Sequence, residues 1–223
     1  MTRSSEPETD RVPGLQLEAE IAREKFAALH GARENGLRLS RDLIRRSGES
    51  IRATHRNEFV RAEALLEEAR DLASEMTGAL DSFPSVMHAG FAEDGLKEYV
   101  EASATLAFVQ GGPLPSPETL GVGPAAYLNG LAEAASEVRR YILDLLRRDE
   151  VERCEDLLGL MDEVYSVLVT MDFPDGLTRG LRRTTDALRA VLERTRGDLT
   201  VALRQRRLER RMASLENTFN EQS

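Results

Sequence analysis

A chain of 223 residues has room for one generous domain or at most two small ones. Hydrophobic residues at 41% and charged residues at 31% exclude a chain disordered throughout, and no stretch approaches the ~20 apolar residues that a bilayer crossing takes. A net charge of -9 excludes a broadly basic surface, so a nucleic-acid partner requires a local basic patch.

The opening MTRSSEPETD lacks the apolar core of a signal peptide, and a cytoplasmic location without membrane contact is expected. Cys154 is the single cysteine, which rules out an internal disulfide, and three histidines (His30, His55, His88) are too few to support a closed zinc site. Any metal would be a hard ion held by carboxylates.

Proline inside a helix costs about 3 kcal/mol. None occurs between Pro13 and Pro84, between Pro124 and Pro174, or after Pro174, and these runs are rich in Ala, Leu, Glu and Arg. The expected fold is all-α, a bundle of about six to seven helices. A first helix should run from Pro13-Gly14 to about His55, with Gly31, Gly36 and Gly48 as weak points, and Asn57 marks a turn. From Phe59 the residues Ala62, Leu66, Ala69, Ala73 and Met76 follow at alternating steps of three and four, a single amphipathic seam. Ser82-Phe83-Pro84 opens a helix expected to break near Gly90 and resume from Gly95 to Gln110. The segment Gly111–Pro124 reads as a loop in which Ser116-Pro117-Glu118 opens one helical turn. Further helices are expected from Pro124 to Arg148, Asp149 to Thr170, and Pro174 toward Leu215. The whole is one domain over residues 13–218, with flexible tails at 1–12 and 219–223.

Two acidic pairs stand out by spacing. Glu98 and Glu101 are three apart and Glu133 and Glu137 four apart, so each pair projects from one side of its helix. Lys97 is within reach of Glu101 and Arg140 of Glu137, while the neighbours of Glu133 offer no cation. If the two helices pack side by side, four carboxylates converge on magnesium or manganese; otherwise both pairs are solvated faces. Arg38, Arg41, Arg45, Arg52 and Arg56 form a stripe along the first helix, suited either to a phosphate backbone or to acids of a neighbouring helix. The cluster from Arg204 to Arg211 goes round its helix and is a weaker signal. His55 and His88 lie in separate segments with no nucleophile motif beside them, Cys154 reads as a half-buried thiol, and Gly121-Val122-Gly123 follows no strand that would make it a phosphate loop.

Four segments carry a family resemblance. LRLSRDLIRRSGESIRATHR (Leu37 to Arg56) resembles the first-helix signature of the translin superfamily. HAGFAEDGLKEYVEA (His88 to Ala102) and AYLNGLAEAASEVRRYILD (Ala126 to Asp144) are similar to the two regions that carry catalytic acids in the superfamily's X branch. The fourth, Asp172 to Leu199, resembles the start of the C-terminal helix. The resemblance implies a translin-like helical protomer that assembles into a closed, ring-like or barrel-like octamer and binds single-stranded RNA or DNA inside.

For the X branch it further implies Mg2+-dependent (or Mn2+-dependent) endoribonuclease activity. Glu98, Glu101 and Glu137 match the branch's acids, and Glu133 stands where the branch has aspartate. Glu98, Glu101, Glu133 and Glu137 are thereby the implied metal ligands, Arg140 a phosphate contact, and a homo-oligomer the implied assembly. A non-catalytic single-strand binder and a purely structural helical assembly are the alternatives. Retention of four acids favours the nuclease, and the aligned arginines favour either nucleic-acid reading over the structural one.

Overall fold

The computed structural model describes residues 12–221, so the expected tails lie at its margins, with 1–11 and 222–223 outside the described residues. Among these residues the chain is all-helical: α1 (Leu15–His55), α2 (Phe59–Leu80), α3 (Pro84–Met87), α4 (Gly90–Gln110), α5 (Pro117–Leu120), α6 (Pro124–Leu146), α7 (Val151–Leu168), α8 (Asp175–Thr178) and α9 (Leu181–Glu221). Six are long and three are single turns, which agrees with the expected bundle.

The three weak points leave α1 unbroken. Asn57 takes the turn expected of it with φ 59°, a left-handed conformation that asparagine tolerates. Ser116 caps α5 by accepting a hydrogen bond from the Thr119 amide. Two boundaries differ from expectation. Gly90 begins α4 and Gly95 lies inside it, because Gly95 serves packing: a Cβ there would sit 2.9 Å from Ser40 Oγ on α1. The last helix is split, since Arg179 at φ 50° and Gly180 at φ 86° turn the chain between α8 and α9. On α2 the buried seam includes Leu65 in place of Leu66, and Cys154 is fully buried, with its thiol pushed up to about 11 first by burial and then by nearby acids.

Pairings fix the directions of the helices. Ser40 Oγ donates to the Phe91 carbonyl and Ala53 clusters with Leu106, so α1 and α4 run the same way. Gly130 meets Val100, and Asn129 and Arg139 of α6 bond Thr184 and Asp198 of α9, so α6 and α9 follow that direction too. Helices α2 and α7 run back against them, as Arg38–Glu75 with Arg46–Glu68 and Arg196–Asp162 with Arg206–Glu152 show. Two parallel neighbours in sequence, α4 and α6, need a long return, which the 111–123 segment supplies. One core joins α1, α2 and the start of α4, a larger one joins the end of α4 to α6, α7 and α9.

Contact between α4 and α6 is unusually close. A Cβ on Gly130 would lie 2.6 Å from Val100 Cβ and 2.8 Å from the Lys97 carbonyl oxygen, so only glycine lets the two backbones meet there. At opposite ends of the parallel set two helices project. Residues 15–28 of α1 are exposed throughout, Ile21 and Phe26 included, and α9 exposes Val201, Leu208, Met212 and Leu215 at near-heptad spacing. Apolar stripes on projecting helices of this length are surfaces that association would cover.

The seam yields a stability prediction. Alanine in a helix interior normally gains about 1 kcal/mol over glycine, but overpacking of this kind costs about 1–3 kcal/mol or more. Gly130→Ala should therefore lower the melting temperature, whereas Gly159→Ala, where an added Cβ meets nothing within 4 Å, should raise it. Equal gains at both sites would contradict the close contact.

Candidate metal centre and arginine face

Because α4 and α6 are parallel and in contact, acids one turn apart on each face the same seam. Glu98, Glu101 and Glu133 each place one carboxylate oxygen such that all three lie within 4.8 Å of one another. All three are partly buried. An all-carboxylate oxygen set of this span fits a hard divalent ion such as Mg2+ or Mn2+, which takes oxygen ligands and keeps waters.

Without a cation the cluster is electrostatically costly. Burial pushes the Glu101 carboxyl up to about 8, and the charges of Glu98, Glu133 and Glu137 add to the shift. Glu98 is also raised, again first by burial, with Lys97 opposing. Like charges brought into a poorly solvated seam resolve their repulsion by holding a proton.

The fourth acid stands a little apart. Glu137 adds to the field at Glu101, but its Oε1 accepts a hydrogen bond from His55 Nε2 at 2.6 Å rather than joining the tight trio. His55 is buried, its Nδ1 has no hydrogen-bond partner among the described residues, and its ring lies 6.5 Å from that of Tyr141. Tyr141 donates its hydroxyl to Asn57 Oδ1 at 2.8 Å and carries the Arg153 guanidinium over its ring, so the end of α1 is clamped onto α6. Sequence reasoning left His55 without a role. Its signal was the buried stripe Leu43, Ser47, Ser50, Ile51, Thr54, which aims His55 inward.

Both cations expected beside the acids are placed differently. Lys97 reaches across to α6 and bonds Glu133 Oε1 at 2.9 Å, not Glu101, so the cation that Glu133 lacks on its own helix comes from α4. Burial alone would lower the Lys97 ammonium, and the hydrogen bond and charge of Glu133 outweigh it and hold it above its usual range. Arg140 is exposed and makes no ion pair among the described residues, so His55 takes the part expected of it at Glu137.

The arginine stripe divides in two. Arg38 pairs with Asp42 and Glu75, and Arg45 with Asp42, the solvated-surface arrangement. Arg41, Arg52 and Arg56 are exposed and form no ion pair among the described residues. At about 100° per residue, Arg41 and Arg52 lie within about 60° of the His55 direction. The unengaged part of the stripe thus flanks the face that His55 turns toward the acids.

No protein-family model matches the chain. The Methanocaldococcus jannaschii protein MJ0175 is 27% identical over 183 residues, which is 79% of this chain and 78% of that protein. Among solved structures, AfC3PO in complex with duplex RNA superposes with a TM-score of 0.78 at 34% identity, covering 85% of this chain and 98% of that one. AfC3PO alone gives a TM-score of 0.78 at 32% identity over the same shares. Apo-NeC3PO gives 0.76 at 22% identity over 86% and 99%, a likeness of fold. No helix among the described residues is long and apolar enough to cross a membrane.

The raised Glu101 makes stability depend on pH. Its carboxyl holds a proton to about pH 8 when folded and loses it near the ordinary carboxylate value of 4.5 when unfolded. The folded state binds the extra proton between those values, so this group's stabilisation is complete below the lower value and is lost as pH rises toward the upper one. In chelator, the melting temperature should fall from pH 5 to pH 8, and Glu101→Gln should flatten that fall. An unchanged slope in the variant would place the titration elsewhere.

Proposed function

The chain belongs to the translin superfamily, and on that premise we propose that it is a homo-oligomeric RNA-binding protein that cleaves short single-stranded RNA with Mg2+ or Mn2+ held between α4 and α6. The observation that carries the reading is the convergence of Glu98, Glu101 and Glu133 within 4.8 Å on two helices brought together at Gly130. A structural, solvated-face role for these acids gives no reason to bury them against one another at such electrostatic cost.

Glu98, Glu101 and Glu133 would hold the ion. When bound, it supplies Lewis-acid activation of water and offsets the negative charge that builds on phosphorus. The chain's own residues do the rest. Glu137 has Oε1 engaged by His55, which leaves Oε2 to receive the proton of the attacking water. That water's oxygen would bond phosphorus as the bond from phosphorus to the 3′ oxygen breaks, the departing 3′ oxygen taking a proton from solvent to become a hydroxyl and the other product keeping a 5′ phosphate. Arg41, Arg52 and Arg56 are the cations available to neighbouring phosphates, with Arg38 and Arg45 already occupied by acids.

RNA as the partner class follows from the family and is supported by the AfC3PO complex, whose ligand is a duplex. The single-strand preference, any binding of single-stranded DNA and closure into an octamer are the finer parts of the proposal. The projecting apolar stripes of α1 and α9 support an assembly larger than a dimer.

The test uses the purified assembly, whose mass by light scattering should exceed two chains of 24.8 kDa. It should cut short single-stranded RNA faster than duplex with Mg2+ or Mn2+, and stop in chelator. Glu101→Ala and Glu137→Ala should each reduce cleavage by roughly 100-fold or more, with RNA affinity retained. Arg41→Glu with Arg52→Glu should weaken binding and flatten its salt dependence. An assembly that binds RNA and never cuts it with either ion is a binder only, and cutting that survives both alanine variants puts the site elsewhere.

A further inference from the structure

Glu133 is claimed twice. Its carboxylate is one of the three that converge, and it is also the acceptor of the Lys97 ammonium at 2.9 Å. Lys97 lies one turn before Glu101 on α4, and its ammonium crosses to α6 to bond Glu133. The pair is partly shielded, with about a quarter of the Lys97 side chain exposed. A partly buried lysine beside three acids supplies one positive charge where the proposed divalent ion would supply two.

Lys97 also has somewhere to go. On its far side lies a cavity of about 100 Å³ lined by Glu93, Asp94, Lys97, Asn129, Glu133 and Arg183, among others. Within it Glu93 is engaged by Arg179 and His88, and Asn129 by Thr184 and the Ala125 and Thr178 carbonyls. Asp94 is exposed and has no ion pair among the described residues, and at i,i+3 it is within a lysine's reach on the same helix.

We propose that Lys97 is a resident counter-ion of the acidic cluster, bonded to Glu133 when no divalent cation is present and displaced toward Asp94 when one binds. The proposal rests on the metal reading above and adds to it a competition within the chain: the ion must take Glu133 from the ammonium. The cluster stays assembled when empty, and the ion binds more weakly than the three carboxylates alone would hold it.

The test is Mn2+ titration of the full-length protein, read by the electron paramagnetic resonance signal of free ion, with no RNA present. Lys97→Met keeps the stem and removes the charge, so it should bind Mn2+ roughly fivefold to tenfold more tightly than wild type. Arg183→Met removes a charge from the same cavity without a bond to Glu133, and should change affinity by less than about twofold. In chelator, Lys97→Met should also melt at a lower temperature than wild type and regain the difference with Mn2+. Should Lys97→Met fail to fold, Lys97→Gln takes its place with the same expectation.

If wild type binds Mn2+ and the Lys97 variant binds it no more tightly, or if Arg183→Met tightens binding equally, the displacement is overturned and the metal reading stands. If neither wild type nor the Lys97 variant binds Mn2+, both fall together. Binding seen only in the variant would support the competition in its strongest form.

Discussion

At Gly130 the α6 backbone comes so near α4 that a single methyl group would sit 2.6 Å from Val100 Cβ. That approach sets the distance between two helices whose acids occupy the same level, and a parallel course keeps them in step along the seam. Widen it by one side chain and Glu133 no longer reaches the Glu98–Glu101 pair. A second close contact, Gly95 against Ser40, holds α1 against α4, and the far end of α1 brings His55 to Glu137. The site is therefore a product of backbone packing first and of acidic residues second.

Packing of this kind brings a charge problem with it. Three carboxylates within 4.8 Å would separate if they were free to, and the surrounding core prevents it. The chain resolves the repulsion by three separate means: a proton on Glu101, an ammonium from Lys97 on Glu133, and a hydrogen bond from buried His55 to Glu137. Each acts on a different acid. A cation held by the trio would remove the need for the first and compete with the second, while the third would persist, because His55 lies behind Glu137 in the core. Outside the seam the protein presents unengaged arginines on the same helix that carries His55, so the acids and the available positive charge adjoin each other.

Much of this was legible in the residues. Proline placement and the Ala, Leu, Glu and Arg content gave six long helices, with most ends close to those observed because helix starts and stops are local chemistry, the start of α4 and both ends of α9 being the exceptions. The acids and their paired spacing were legible for the same reason. Partners across helices were not: Lys97 with Glu133 and His55 with Glu137 depend on helix direction and axial register, which no single helix encodes. Lys97 was paired with Glu101 by the i,i+4 rule, yet the stem crosses to α6 since Glu133 is the nearer acid once Gly130 closes the gap. Gly95 and Gly180 show how context divides one residue type, the first a packing contact inside α4, the second a left-handed turn between α8 and α9. Arg38 and Arg45 were indistinguishable in spacing from Arg41 and Arg52, and only the acids of α1 and α2 separate them.

The central claim is that the α4–α6 seam is a divalent-cation site, and anomalous diffraction from crystals grown with Mn2+ tests it most directly because it locates the ion without reference to activity. An anomalous peak is expected among the carboxylates of Glu98, Glu101 and Glu133, lost in Glu101→Ala. A seam without such a peak at saturating Mn2+, or a peak held by other residues, would contradict the claim.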